Sequence, residues 1–377
     1  MSVLRHSLSI ILLQLHILSG GGPPAAAKVP ALIVFGDSTV DTGNNNYIST
    51  LVKSDFAPYG RDLRPPGSGG GGSAGQPTGR FSNGRLAIDF ISEAFGLPHS
   101  SLATGACFAS AGAGYDNATS DLFVRKTPSY SCTKNRFFVT TTMNAAADNM
   151  SVSFALDYFK EYAAKLRSFQ GDDRAQETLS EALYVVSMGT NDFLENYYAV
   201  PSGHAAQYAA ASGYAGYLLG VAESFARALH ALGARKLDLN GLPPMGCLPL
   251  ERHAATGACT EEYNAVARAF NAGLRDLVAR LDGAGGLGGG ARVVYGDVYG
   301  PVADVFADPA AYGFEDVRAG CCGTTGRFEM AYMCNEASPL TCADAGKYAF
   351  WDAIHPTEHL HRFLADRKMN TTLYVFQ

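Results

Sequence analysis

The chain has 377 residues, 47% of them hydrophobic and only 17% charged, with a formal net charge of -6. Such a composition supplies ample material for a buried core and excludes an intrinsically disordered chain. The mildly acidic balance, without a Lys/Arg-rich amphipathic stretch, gives no electrostatic case for nucleic acid or for an anionic membrane as partner.

Residues 1–27 have the pattern of a secretory signal peptide. Arg5 is the positive head, Ser9-Ile10-Ile11-Leu12-Leu13 and Ile17-Leu18 form a short apolar core, and Ala25-Ala26-Ala27 fits a cleavage site. The mature protein is expected to be one domain over 28–377. The apolar run is too short and interrupted to span a membrane, and no later run of about 18 apolar residues follows, so the expectation is a soluble, secreted protein with no transmembrane segment.

Short apolar runs then alternate with helical patterns. Residues 31–35 read as a first strand buried on both faces, because no polar residue interrupts them. Helical spacing follows over 87–95 and stops at Gly96 and Pro98. Further helices are predicted over 158–169, 176–182, 208–232 and 261–281. Strands are predicted over 183–188, 236–239 and 292–295, the last clear one. Alternation of this kind predicts a parallel sheet covered on both faces, with functional residues in loops at the carboxyl edge of its strands. The Gly-rich stretches 64–75 and 283–290 are surface loops, not phosphate loops, since no Lys-Ser/Thr follows the glycines.

The eight cysteines are Cys107, Cys132, Cys247, Cys259, Cys321, Cys322, Cys334 and Cys342. Cys247 and Cys259 bracket a polar loop, and the last four crowd a Gly- and Thr-rich region without strand or helix periodicity. Disulfides are favoured over zinc because no Cys-x-x-Cys pair occurs. Asn-x-Ser/Thr sequons at Asn117, Asn149 and Asn370 agree with secretion as glycosylation sites.

The first strand runs directly into Gly36-Asp37-Ser38, which presents a hydroxyl at the sheet edge beside free backbone N–H groups. A serine nucleophile needs a base, and the base an orienting acid. His355 has Asp352 three residues earlier in Phe350-Trp351-Asp352-Ala353-Ile354-His355-Pro356, close enough for the carboxylate to reach Nδ1 and leave Nε2 free. Pro356 favours a helix starting there. Gly189-Thr190-Asn191-Asp192 follows a buried strand, and Asn191 can aim an N–H at an oxyanion, as can the glycine turn over 109–114. Taken singly, Ser38 reads as a helix N-cap, Asp352 as a capping carboxylate, and the Asn191 and glycine turns as ordinary loops.

Together these segments resemble the plant GDSL esterase/lipase family of the SGNH hydrolase superfamily. The similarity covers nearly the whole mature chain. It rests on Phe35-Gly36-Asp37-Ser38 through Asn45, Thr78-Gly79-Arg80-Phe81-Ser82-Asn83-Gly84-Arg85, and Phe108-Ala109-Ser110-Ala111-Gly112. It continues with Gly189-Thr190-Asn191-Asp192, Gly241-Leu242-Pro243-Pro244-Met245-Gly246-Cys247, and Phe350-Trp351-Asp352 through Thr357. Thr39 stands where the name motif usually has Leu. The resemblance implies a three-layer α/β/α sandwich around a parallel, flavodoxin-like sheet of about five strands. It implies Ser38 as nucleophile, His355 as base and Asp352 as its orienter. Ser38 N–H, Gly112 N–H and the Asn191 side chain would form the oxyanion hole.

The implied function is that of a secreted hydrolase of carboxylic esters, acting on a small-molecule, lipid or polyester ester in the cell wall or apoplast. The expectation is a monomer, and the chemistry requires no cofactor and no metal. A transacylase would use the same acyl-enzyme, and a weakly catalytic binding protein could share the scaffold. The segment 124–149 interrupts the family pattern and adds Cys132, either as a genuine loop or as a retained intron. A zinc-peptidase reading rests on His355-Pro356-Thr357-Glu358-His359, and Pro356 counts against it by placing the two histidines poorly for one helix face.

Overall fold

The computed structural model describes residues 29–64, 75–97, 102–121, 152–200, 204–338 and 340–377. Residues 1–27, read above as a signal peptide, all but the ends of the 64–75 loop, the 124–149 segment, Cys132 and Asn149 lie outside them. Five parallel strands form the central sheet: β1 (Leu32–Gly36), β2 (Gly105–Cys107), β3 (Leu183–Ser187), β4 (Lys236–Asn240) and β5 (Arg292–Gly296). Their order is β2-β1-β3-β4-β5, the flavodoxin-like arrangement, so the chain reverses its direction of travel across the sheet between β1 and β3.

Strand alternation sorts the apolar residues into two cores. Ile33 and Phe35 of β1, with Tyr184 and Val186 of β3, face α3 (Val152–Gln170), α4 (Asp172–Glu181), α5 (Ala211–Ala231) and α6 (Glu261–Asp282). Leu32, Val34, Leu183 and Val185 face the other way, onto α1 (Ala87–Ala94) and α8 (Glu358–Thr371). This is the expected three-layer sandwich, and it explains why β1, and β3 up to Ser187, read as apolar runs on both faces. The short α2 (Asn117–Asp121) and α7 (Tyr299–Ala307) complete the helices described.

Phe35, the residue before Gly36, is completely buried. Its ring meets Phe108 at 5.2 Å, Phe159 at 5.8 Å and Phe225 at 5.1 Å. Burying a side chain of that size contributes about 1.5–3 kcal/mol, and edge-on or offset ring pairs add to it. The carboxyl end of β1 is therefore anchored by the core immediately beneath Ser38.

Two strands beyond 292–295 correct the expectation that it held the last strand. β6 (Asp316–Gly320) and β7 (Tyr348–Phe350) form a separate parallel pair. Their burial is uneven and β7 has three residues, so neither shows a readable period. The helix predicted from 208 begins at Ala211, after a short turn at His204–Gln207.

The cysteines form disulfides Cys247–Cys259, Cys321–Cys342 and Cys322–Cys334. Cys107 takes part in none of these. It is a buried free thiol at the end of β2, in contact with the Val40 carbonyl, and burial pushes it up to about 11. It sits in the tightly packed second core, where no other cysteine is found among the described residues.

Candidate active site

Gly36 is required where β1 leaves the sheet. A Cβ there would lie 2.3 Å from the Ser187 carbonyl oxygen on β3. Asp37 N–H donates to that same oxygen at 3.1 Å, and the Asp37 carboxylate accepts from Thr39 N–H at 2.9 Å and Thr39 Oγ1 at 2.7 Å. This compact turn closes around Ser38 and leaves its side chain directed outward from the strand end.

Ser38 Oγ lies 2.8 Å from His355 Nε2. On the other side of the ring, Nδ1 lies 2.8 Å from Asp352 Oδ1 and 2.7 Å from Oδ2. A carboxylate facing Nδ1 fixes the proton there, so Nε2 accepts from the Ser38 hydroxyl. Asp352 is fully buried, with Ser38 at 7% and His355 at 4% exposure, so their interactions are little screened by solvent. Asp352 Oδ1 also accepts the N–H groups of Ile354 at 2.9 Å and His355 at 2.8 Å, and Oδ2 accepts the Tyr59 hydroxyl at 2.7 Å.

The turn bearing Asp352 and His355 is held from several sides. Trp351 N–H donates to His355 O at 2.7 Å, Ala353 N–H to Glu329 O at 2.9 Å, and Leu250 N–H to Ala353 O at 3.0 Å. The helix after it does not start at Pro356. Thr357 is the N-cap, its Oγ1 accepting from Leu360 N–H, because a hydroxyl can satisfy a first-turn donor and proline has no side-chain acceptor. The Arg80 to Arg85 block ties the two helices of this layer together. Arg80 forks onto Asp89 of α1 at 2.9 and 2.8 Å, Asn83 caps Glu358 N–H at 2.8 Å, and Phe81 packs against the His355 ring at 4.8 Å.

Gly112 follows β2 with φ at 83°, a conformation that favours glycine. Its loop is pinned by Ser110 N–H on Gly36 O at 2.9 Å, by Ala111 N–H on Asn45 Oδ1 at 3.0 Å, and by Asn44 Nδ2 on Ala109 O at 2.7 Å. The backbone N–H groups of Ser38 and Gly112 have no acceptor among the described residues. Asn191 donates one amide hydrogen to Ala113 O at 3.0 Å, so its side chain is joined to the Gly112 loop and half engaged there.

Asp192 was legible only as part of a motif, yet it is the main tie between these loops. It is fully buried and accepts from Tyr115 N–H at 2.8 Å, Asp116 N–H at 3.0 Å and Thr119 Oγ1 at 2.6 Å. Burial pushes its carboxyl up to about 7, against the pull of those donors. Tyr59 was missed outright, since nothing in a sequence links it to a carboxylate 293 positions away. Of the sequons, Asn117 is exposed at the start of α2 and Asn370 is exposed on α8.

The zinc-type constellation does not assemble. Both ring nitrogens of His355 are engaged, Glu358 accepts from Arg85, and His359 Nδ1 turns to Gly346 O at 2.6 Å. No cluster of three metal-ligating side chains occurs among the described residues.

His361 lies buried on α8, near Asp89 and His355. Burial pulls its imidazole down to about 3, with Asp89 opposing. Between about 6.5 and 3 the unfolded chain then binds more protons than the folded one, so this group's stabilisation is present above about 6.5 and is lost as pH falls. His361→Leu is expected to gain on the wild type in urea unfolding midpoint as pH drops from about 6.5 to 4. A gap between the two proteins that stays constant with pH would refute this.

A family model for GDSL-like lipase/acylhydrolase matches residues 32–367. The Arabidopsis thaliana protein named GDSL esterase/lipase At2g04570 is 43% identical over 366 residues, covering 93% of each chain. GDSL esterase/lipase At4g26790, from the same plant, is 44% identical over 370 residues and 94% of each chain. A third Arabidopsis thaliana relative, GDSL esterase/lipase At2g42990, is 42% identical over 91% of each.

Proposed function

The chain belongs to the GDSL-like lipase/acylhydrolase family, and from that premise we propose a secreted serine esterase that cleaves carboxylic esters through an acyl-enzyme. The observation that carries this reading is the unbroken line of contacts from Ser38 Oγ through His355 to Asp352. Ser38 Oγ attacks the ester carbonyl carbon while His355 Nε2 takes its proton. The carbonyl oxygen, now an anion, receives hydrogen bonds from Ser38 N–H, Gly112 N–H and the second amide hydrogen of Asn191. Losing one such donor typically costs about 10²–10³ in rate. Collapse breaks the bond to the alkoxy oxygen, which leaves as the alcohol with the proton from His355. Water then attacks the acyl-enzyme with His355 again as base, and the acid departs as Ser38 recovers its hydrogen.

Secretion is supported by the three disulfides and the pattern over 1–27. No helix of the described residues is long and apolar enough to cross a membrane. Residues 28–377 are read as a single catalytic domain, glycosylated at Asn117 and Asn370.

The reading is tested with a serine-reactive fluorophosphonate on the purified wild type. One equivalent should bind, on the peptide containing Ser38, and p-nitrophenyl ester hydrolysis should vanish in step with labelling. Full activity in fully labelled protein, or labelling elsewhere, would overturn it.

A further inference from the structure

Tyr59 lies on a loop outside the sheet, in one buried cluster with Phe81, Ala111 and Trp351, and it touches the innermost member of the Ser38–His355–Asp352 line. The residue is completely buried. Its ring stands edge-on to Phe56 at 5.7 Å, Phe81 at 5.9 Å and Trp351 at 6.2 Å, which leaves the hydroxyl little freedom of direction. That hydroxyl is fully used. It donates to Asp352 Oδ2 at 2.7 Å and accepts from Ala331 N–H at 2.9 Å.

The direction of these bonds follows from the inventory of donors. The backbone N–H of Ala331 can only donate, and the Asp352 carboxylate can only accept when ionised. The tyrosine oxygen therefore receives the first and sends its own proton to the second. Burial and the Asp352 charge both hold the phenol well above its usual range, so it keeps that proton. Asp352 thus has two backbone donors on Oδ1 and the phenol on Oδ2, with the imidazole across both oxygens.

The other end of the relay is also built. Ala331 has φ at 46°, in the left-handed region that costs a non-glycine residue free energy. Its conformation directs the N–H toward Tyr59, and its segment is closed by the Cys322–Cys334 disulfide. The same segment grips the catalytic turn directly, through Cys322 N–H on Trp351 O at 2.6 Å and Ala353 N–H on Glu329 O.

We propose that Tyr59 is a positioning residue for the acid–base pair: its hydrogen bond fixes the plane of the Asp352 carboxylate, withdraws part of its charge, and so sets how strongly His355 holds a proton. The proposal rests on the triad reading above. Without the phenol, more negative charge faces Nδ1, the imidazolium is stabilised, and the free base exists only at higher pH. The carboxylate also loses one of its three fixed donors, so the imidazole is held less well against Ser38.

The test is Tyr59→Phe, which keeps the ring and removes one oxygen, assayed with a p-nitrophenyl ester across pH. A hydrogen bond to a charged group of this kind predicts a fall in kcat of about 10- to 100-fold. KM should stay within about twofold, and the acid limb of kcat/KM should move up by about one pH unit. Tyr184→Phe is the control for losing a buried tyrosine hydroxyl, since Tyr184 is fully buried and donates to Leu179 O at 2.8 Å away from the triad. It should lower stability and leave kcat and the pH profile unchanged. A ring-fluorinated tyrosine in place of Tyr59 keeps both hydrogen bonds and strengthens the donor, so its acid limb should move down, which decides the matter even if Tyr59→Phe folds poorly. An acid limb that moves in neither Tyr59 variant, with kcat within twofold per folded molecule, would overturn the proposal. Ser38→Ala separates the two layers: if it stays active the triad reading fails, whereas its inactivity beside an unaffected Tyr59→Phe fails only the role of Tyr59.

Discussion

Ser38→Ala is expected to lower turnover of p-nitrophenyl esters by about 10⁵-fold or more, with an unchanged far-UV spectrum and a melting temperature within about 2 °C of the wild type. The asymmetry comes from where the side chain sits. Its Oγ contacts His355 Nε2 at 2.8 Å and contributes nothing to either core, whose nearest anchor is the Phe35 ring on the strand before it. Deleting the oxygen removes the attacking atom and one hydrogen bond. The turn remains fixed by the Asp37 contacts to Thr39 and Ser187. Retention of more than about one part in 10³ of wild-type kcat would assign the nucleophile elsewhere.

Asp352→Asn should be nearly as severe, lowering kcat by about 10⁴-fold. The reason lies in the donors around the carboxylate. Ile354 N–H and His355 N–H both point at Oδ1, so an asparagine must place its carbonyl oxygen there. Its amide nitrogen then takes the Oδ2 position, facing Nδ1 of the imidazole and the Tyr59 oxygen. An N–H facing Nδ1 makes that nitrogen an acceptor and moves the ring proton to Nε2. The ring can then no longer accept from Ser38. The loss should be largest at neutral pH and should shrink in alkaline buffer, where hydroxide can replace the base. A pH-independent loss of only a few fold would contradict this account.

The sequence announced the sheet because β1 and β3 are buried on both faces and so read as unbroken apolar runs. It announced Ser38 because a buried strand runs straight into its turn, and His355 because Asp352 stands three residues before it. Local spacing is enough for such pairs. β6 and β7 were not legible because they are short, unevenly buried and paired across a disulfide-rich loop. Asp192 and Tyr59 were not legible for a different reason. Their partners, Tyr115, Asp116 and Thr119 for one and Asp352 for the other, come from remote segments, and no period or spacing along a chain encodes that meeting. Asp192 did carry a signal in retrospect, as an acidic residue in the turn that follows an apolar strand, just before the apolar Phe193-Leu194.

The contact between Ser38 and His355 joins positions 317 residues apart. A polypeptide made only as far as β5 contains the proposed nucleophile and oxyanion donors but not the proposed base. On the triad reading, ester cleavage then waits until residue 355 has been made and folded against Ser38. A product truncated before residue 355 is expected to be inert toward esters, because it keeps the alcohol and lacks the base.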